Sequence, residues 1–405
     1  MTLGKGIHTL RPFTSMAEEL SYVIITPHTL SKSRTGGVLT RLLTRTGLEW
    51  VGASMFAPSV ELTEAYAKTL VNEDDPHDPS LQEHLQKYVL ENFSPDPVTG
   101  LRRRVMVLLF KGENAVKKTR EAVGLFRPFS ASGETVRDTY GDLIFNADGS
   151  LRYFEPAALA APSLDEAKER LRLWADYVVT DGGVLEGVAP SDSSTKNEKT
   201  LVILKPDNFQ FPNGRPGNII DLFSRAGLTI TCIKMHRMSV TEAEAFYAPI
   251  RMNLHKIYGS IVAERTMAFW ENDLGLSVDP SNQGRIAEMM GTTAGDHRFS
   301  KIVEFMCGRD PRTCSDQEKL DPGTEKCIVL VYEGQDAVRR IREVLGPTDP
   351  SKAPPGSIRR EFGQSLMVNA AHASDSVENA IREMAIVKAA QNNFKGLVEG
   401  FYGIS

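Results

Sequence analysis

The sequence predicts an α/β (α+β) chain of two βαββαβ units with antiparallel sheets, the second enlarged by insertions. A degenerate internal repeat, the same succession of apolar runs and amphipathic segments in each copy, and a polar break between the copies lead to that expectation. The stretch YVIITPHTLSKSRTGGVLTRLLTRTGLEWVGASM lies over TLVILKPDNFQFPNGRPGNIIDLFSRAGLTITCIKM, pairing Gly37 with Gly217, Gly47 with Gly227 and Met55 with Met235 at an offset of 180. Further on, VLLFKGENAVKKTREAVG lies over IVLVYEGQDAVRRIREVLG, pairing Gly112 with Gly334, Arg120 with Arg342 and Arg137 with Arg359 at an offset of 222. The difference, 222 − 180 = 42, gives the second copy 42 more residues between Met235 and Gly334, covering 253–322. Insertions of that size normally sit outside the common fold.

In the second copy an apolar strand at Leu201 to Leu204 leads to Pro216, suited to a first helical position. The helix it opens carries Ile219, Ile220 and Phe223 on one face and stops at Gly227. A strand follows at Leu228 to Met235, then a short helix from Thr241 to Tyr247 and a strand at Cys327 to Tyr332. Val338, Ile341 and Leu345 fall at helical spacing, giving a helix from Asp336 to Leu345. A strand near Ser365 to Val368 and a helix from Asp375 to about Val387, capped by Ser374 or Asp375, complete the unit. This order with an antiparallel sheet is a ferredoxin-like sandwich. The polar stretch APSDSSTKNE, 189–198, reads as a linker between a domain over 1–188 and another over 199–405.

The 405 residues, 41% hydrophobic and 24% charged, supply more apolar material than one domain needs. A net charge of −5 argues against a surface built for nucleic acid, so any phosphate site is local. The opening MTLGKGIHTLRPFTS lacks the apolar core of a secretory signal, and no apolar run reaches membrane-spanning length. Cys232, Cys307, Cys314 and Cys327 form no CxxC pair. Together these features give the expectation of a reduced, cytoplasmic protein without a membrane segment.

Phosphoryl transfer through a protein nucleophile needs an imidazole or similar group, cations to balance phosphate charge, and donors fixed around the transferring oxygens. The second copy offers all three. Its segments LVILKPDNF, PGNIIDLFSRAGLTI, VLVYEGQDAVRRIREVLGPTDPSKAPPGSIRREFG and NAAHASDSVENAIREM resemble successive motifs of nucleoside diphosphate kinases, in the family's order. The resemblance implies a ping-pong reaction in which a nucleoside triphosphate phosphorylates a histidine and a nucleoside diphosphate then takes the group.

His372, in NAAHASDS, falls on the family's nucleophile, and by the same resemblance Glu383 orients it. From the residues alone, any one histidine, such as His236, His255 or His297, is more often structural than catalytic, and a helix glutamate is usually solvated. Lys205, Arg342, Thr348 and Arg359 match the family's phosphate clamp, and Asn369 matches its contact to the sugar hydroxyl. Arginine adds planar multidentate donors to the lysine's point charge. Tyr247 matches a tyrosine supporting the site, and Ser374 stands beside the nucleophile motif as a further supporting residue. Mg2+ is implied too, bound mainly through the nucleotide phosphates, because magnesium keeps waters and takes few protein ligands. The resemblance also implies assembly through paired copies of the domain, so an intramolecular pseudo-dimer is expected, open to further self-association.

Three departures matter. Ala373 stands where the family has glycine, which is unfavourable if that position needs positive φ. The base-stacking aromatic aligns with Arg298 or Phe299, depending on one gap. In the first copy Thr26 replaces Lys205, and an offset of 213 in the last helix puts Leu159 at the place of His372. The difference of 222 − 213 = 9 residues falls around FNADGSLRYF, which reads as a hairpin. The leading reading is therefore one active copy and one degenerate copy. A nucleotide-binding regulatory pseudo-enzyme, or an interaction scaffold using the insertions, are the alternatives.

Overall fold

In the computed structural model the described residues are 17–72, 79–126, 133–190, 196–276 and 279–403. The opening MTLGKGIHTLRPFTS and residues 191–195 of the expected linker lie outside them.

The first half begins with β1 (Glu18–Ile25), α1 (Pro27–Ser31), α2 (Thr35–Thr46) and β2 (Glu49–Phe56). It continues through α3 (Val60–Lys68), α4 (Pro79–Asn92), β3 (Val105–Glu113), α5 (Ala115–Val123) and α6 (Val136–Tyr140). The expected hairpin is present as β4 (Asp142–Phe145) and β5 (Leu151–Glu155), followed by β6 (Ala158–Ala160), α7 (Leu164–Asp176) and α8 (Val178–Asp181). Strand order in the sheet is β2-β3-β1-β6, with every pair antiparallel.

The second half repeats this with β7 (Glu198–Leu204), α9 (Arg215–Ser224), β8 (Thr229–His236) and α10 (Val240–Tyr247). After α11 (Arg251–Asn272) and α12 (Ser281–Cys307) come β9 (Cys327–Gly334), α13 (Ala337–Leu345), α14 (Ile358–Phe362), β10 (Ala371–Ala373), α15 (Val377–Ile386) and α16 (Phe394–Tyr402). The order β10-β7-β9-β8 is the same as in the first sheet, again wholly antiparallel. The repeat extends to backbone detail. Bulges interrupt β2 between Trp50 and Gly52 and β8 between Ile230 and Cys232. Asn114 and Asp336 take left-handed φ of 54° and 52° at helix starts, and Ala157 and Ala370 take 58° and 69° ahead of the last strand of each sheet.

Strand alternation divides the interior into layers. On β1, Tyr22 and Ile24 face a core built mainly from the first half's helices, while Val23 and Ile25 face the other way. That second face joins Leu39 and Leu42 of α2 to Ile219 and Phe223 of α9 and Leu330 of β9 in one continuous core. The outer face of the second sheet has a separate core around Ile203, Phe246 and Val329. Equivalent elements meet at the junction, α2 on α9 and β2 on β8. A Cβ on Gly217 would stand 2.4 Å from Thr40 Oγ1 and 2.6 Å from Gly36 O, so the two helix backbones touch there.

Three readings need correction, and one further feature was not expected. No strand forms at 365–368; Gln364 and Ser365 both donate to Val368 O in a turn, and left-handed Ala370 redirects the chain so that β10 begins at Ala371. The cap of α15 is Ser376, whose hydroxyl accepts from Asn379 N, because Ser374 is fully buried and donates elsewhere. The insertion is not wholly outside the fold: α11 and α12 pack together as a long helical pair, but Phe299, Val303, Met306 and Cys307 at the end of α12 lie in the second half's outer core. Finally, α16 follows the second repeat in sequence yet packs in the first half's core. Phe394 and Val398 are fully buried there, with the Phe394 ring 5.5 Å from Phe56.

No helix among the described residues is long and apolar enough to cross a membrane, and all four cysteines are unbridged.

Candidate active site

The strand β7 ends at Leu204, and Lys205 starts a short 3-10 turn at Pro206, which turns the chain away from the sheet. On the neighbouring edge strand His372 pairs in register with Ile203, so the two side chains leave one end of the sheet together. One cavity of about 330 Å³ opens there, and Lys205, Tyr247, Arg342, Thr348, Arg359, Asn369, His372 and Glu383 all line it. Ser374 lies behind this wall.

His372 Nε2 is 2.9 Å from Glu383 Oε2, which also accepts from the Ser374 hydroxyl at 2.7 Å. The other carboxylate oxygen accepts from Arg382 at 3.3 Å. Glu383 is 4% exposed, so its orientation is set by these donors rather than by solvent. With Nε2 committed to a carboxylate, the ring tautomer that donates from Nε2 leaves the Nδ1 lone pair available. The Phe246 ring stands edge-on at 4.9 Å and limits rotation of the imidazole.

Cations crowd the opposite wall. Lys205 Nζ donates to Asn369 Oδ1 at 2.7 Å and to Met367 O at 3.2 Å, while Asn369 in turn donates to Thr348 O and Leu366 O. Burial, with the nearby Arg359 charge, lowers the Lys205 pKa to about 8. Burial and Arg342 likewise lower Arg359 to about 10. Arg359 donates to Gly346 O and Ala371 O, and its Nε is buried without a partner. The Tyr247 hydroxyl is also buried and unpartnered, and burial raises its pKa. Three cations thus face a cavity in which they repel one another, with donor capacity left over.

Ala373 lies in β10 without positive φ, so the missing glycine imposes no backbone strain at that position; the left-handed residue is Ala370. Neither Arg298 nor Phe299 reaches the cavity. Phe299 is buried under Arg251, and Arg298 lies over Tyr258. The inserted segment contributes Ile302, Phe305 and Met306 instead. Arg382 and Phe246 also line the site, and no signal in the sequence singled them out.

In the first half the equivalent positions carry other side chains. Leu159 pairs with Ile24 in the register that His372 has with Ile203. Thr26 donates to Glu155, which also accepts from Tyr88 at 2.7 Å. At an offset of 213 from Glu383, Arg170 pairs with Glu166 at 2.7 Å. Arg137 is turned onto the carbonyls of Gly124, Pro156 and Ala158 and over the Phe126 ring.

A βαββαβ unit with a histidine held by a carboxylate and faced by cations defines a class of phosphate-handling domains, and comparison with known proteins specifies it. The nucleoside diphosphate kinase family model matches residues 198–268 and 321–392. The unmatched stretch, 269–320, runs from the end of α11 through α12 and the loop that follows it. The nucleoside diphosphate kinase of Chlamydia muridarum is 33% identical over 188 residues, covering 46% of this chain and 90% of that protein. That of Campylobacter hominis is 31% identical over 194 residues, covering 48% and 97%. A solved NDP kinase from Pyrobaculum aerophilum is 29% identical, covering 47% of this chain and 95% of that one, with a TM-score of 0.32. This chain belongs to the nucleoside diphosphate kinase family.

Proposed function

We propose that the second half transfers the terminal phosphoryl group of a nucleoside triphosphate to a nucleoside diphosphate through a phosphohistidine at His372. His372 Nδ1 attacks the terminal phosphorus; the N–P bond forms as the bridging P–O bond breaks, and the nucleoside diphosphate leaves with that electron pair. In the second step the terminal phosphate oxygen of another diphosphate attacks, and Nδ1 leaves. Glu383 holds Nε2–H and stabilises the positive ring that forms with the N–P bond. Lys205, Arg342 and Arg359 balance charge on the transferring oxygens. Asn369 reaches the sugar hydroxyl while keeping Lys205 oriented.

The observation that carries this reading is the pairing of an oriented imidazole with three mutually repelling cations in one cavity. An anion carrying several charges relieves that repulsion. Mg2+ fits as a companion of the nucleotide: among the described residues, Asp375 is the one cavity carboxylate other than Glu383. Magnesium would supply charge neutralisation on the phosphates. We further read the chain as a catalytic half packed against a degenerate half in an intramolecular pseudo-dimer, supported by the contact of equivalent helices α2 and α9. A cytoplasmic setting, where nucleotides are abundant, accompanies the same reading.

Incubation with γ-labelled triphosphate should give acid-labile, base-stable label on His372 that a second diphosphate removes. His372→Ala should give none and no turnover while keeping the wild-type Tm within a few degrees. Label elsewhere, or ping-pong kinetics surviving in the variant, overturns the assignment.

A further inference from the structure

Beneath the site, and outside its cavity, a small polar hub ties together three of its segments, those that carry Lys205, His372 and Arg359. Asn208 is 1% exposed, and its Nδ2 donates to Lys205 O at 2.9 Å and to Ala370 O at 2.7 Å. Ala370 O also accepts from Lys205 N at 2.9 Å. The chain entering β10, two residues before His372, is therefore fastened to the chain leaving β7 at Lys205. Asn208 Oδ1 is itself fixed by Arg215 Nε at 2.8 Å.

Arg215 extends the connection to a third segment. Its Nη2 donates to Asp207 Oδ2 at 3.0 Å and to Phe362 O at 2.6 Å, and its guanidinium lies 5.6 Å from the Phe362 ring centre. Phe362 ends α14, the five-residue helix that carries Arg359. One planar guanidinium thus spans the Lys205 turn, through Asp207 and Asn208, and the Arg359 helix. Lysine has a single ammonium and cannot reproduce that fork. Neither Arg215 nor Asn208 lines the cavity, so each acts on it through the segments it holds.

We propose that Arg215, acting through Asn208, is a positioning residue for phosphoryl transfer that sets the spacing of Lys205, His372 and Arg359. This rests on the reaction proposed above. The hub also abuts the first half: Thr40 of α2 donates to Gly214 O at 3.2 Å and Asn218 Oδ1 at 2.9 Å, on either side of Arg215. The first half thereby braces the helix from which the hub is built.

The test uses the full chain, with Arg215→Ala, Arg215→Lys and Asn208→Ala beside the wild type. At saturating triphosphate the first-order rate of His372 phosphorylation should fall on the order of 10–100-fold in Arg215→Ala, since displacements near 1 Å cost about that much. KM should change less than the rate, and Arg215→Lys should recover only part of it. Asn208→Ala keeps the pairing of Arg215 with Asp207 and should still slow phosphorylation, which decides the matter if Arg215→Ala does not fold. A wild-type rate in folded Arg215→Ala, or full recovery by lysine, overturns the proposal.

A second readout separates this proposal from the reaction itself. The pH midpoint for modification of Lys205 by an amine reagent, read by mass spectrometry, should rise in Arg215→Ala as Asp207 loses its cation and its carboxylate favours the ammonium. An unmoved midpoint would show that Arg215 does not act on Lys205. If the wild type forms no phosphohistidine, the proposed reaction fails and this midpoint alone judges the hub.

Discussion

Nucleotide binding should weaken in alkaline solution over a pH range set by Lys205. Its ammonium is buried and faces Arg359, which together lower its pKa to about 8 from the ordinary 10.5 of a lysine. A polyphosphate on the same wall reverses that balance and raises the pKa, so above pH 8 binding takes up a proton. With a pKa near 8, the charged fraction falls from about nine-tenths at pH 7 to about one-tenth at pH 9, so affinity should weaken roughly tenfold, or ~1.4 kcal/mol. Titration calorimetry with a non-hydrolysable triphosphate, in two buffers of different ionisation enthalpy, measures both the affinity and the proton uptake. Lys205→Met should bind weakly at both pH values and show no such uptake. The stability of the free protein runs in the opposite direction. Below pH 8 both folded and unfolded chains hold the proton, and folding bears the cost of burying the charge. Between pH 8 and 10.5 the folded chain releases it first, the unfolded state binds more protons, and stability rises. Affinity that is flat from pH 7 to 9.5, or a Lys205→Met slope equal to that of the wild type, refutes the assignment of a depressed ammonium at the phosphate wall.

The remaining predictions concern the histidine and the packing of the two halves. Glu383→Gln leaves one acceptor oxygen for the donors from His372, Ser374 and Arg382, and kcat/KM should fall about 10–100-fold, with unchanged Tm and unchanged kcat/KM counting against an orienting role. Gly217→Ala puts a methyl 2.5 Å from Thr40 N and 2.6 Å from Gly36 O; denaturant titration should show a loss of about 1–3 kcal/mol, and an unchanged midpoint would mean that α2 and α9 do not touch in solution. Phe394→Ala empties a fully buried site against Phe56 and should cost ~3–5 kcal/mol. The fluorescence of Trp174, whose ring lies 4.9 Å from Phe56, should report that loss within the first half, and an unaltered signal would place α16 elsewhere.

Much of this was legible in the residues because it is local or periodic. Apolar runs gave β7, β8 and β9, helical spacing gave α9 and α13, and the offsets of 180, 222 and 213 recur as matched strands, bulges and left-handed residues. The cavity residues were legible for a different reason: their motifs come in a recognisable order, although 167 positions separate Lys205 from His372. What was missed depends on tertiary contacts. The strand around His372 has only three residues and pairs along one side, so it carries no apolar run, whereas the run at 365–368 has no neighbouring strand to pair with. Ser374 resembles a cap until Glu383 claims its hydroxyl. Phe305 reaches the cavity because the end of α12 enters the core, which helical spacing within the insertion does not disclose. Arg215 and Arg382 look like ordinary surface arginines until the carbonyls they reach are known.

The path of α16 also bears on how the chain is made. The last helix, Phe394–Tyr402, supplies Phe394 and Val398 to a core whose other members come from residues 20–178, and the Tyr402 hydroxyl donates to Leu20 O at 3.2 Å. During synthesis the first half therefore leaves the ribosome with an apolar notch that stays open until residues 394–402 have been translated. Its folding cannot be completed in the order in which its residues appear. The nascent first half must wait, partly open, while the second is made, until α16 emerges and folds back towards β1.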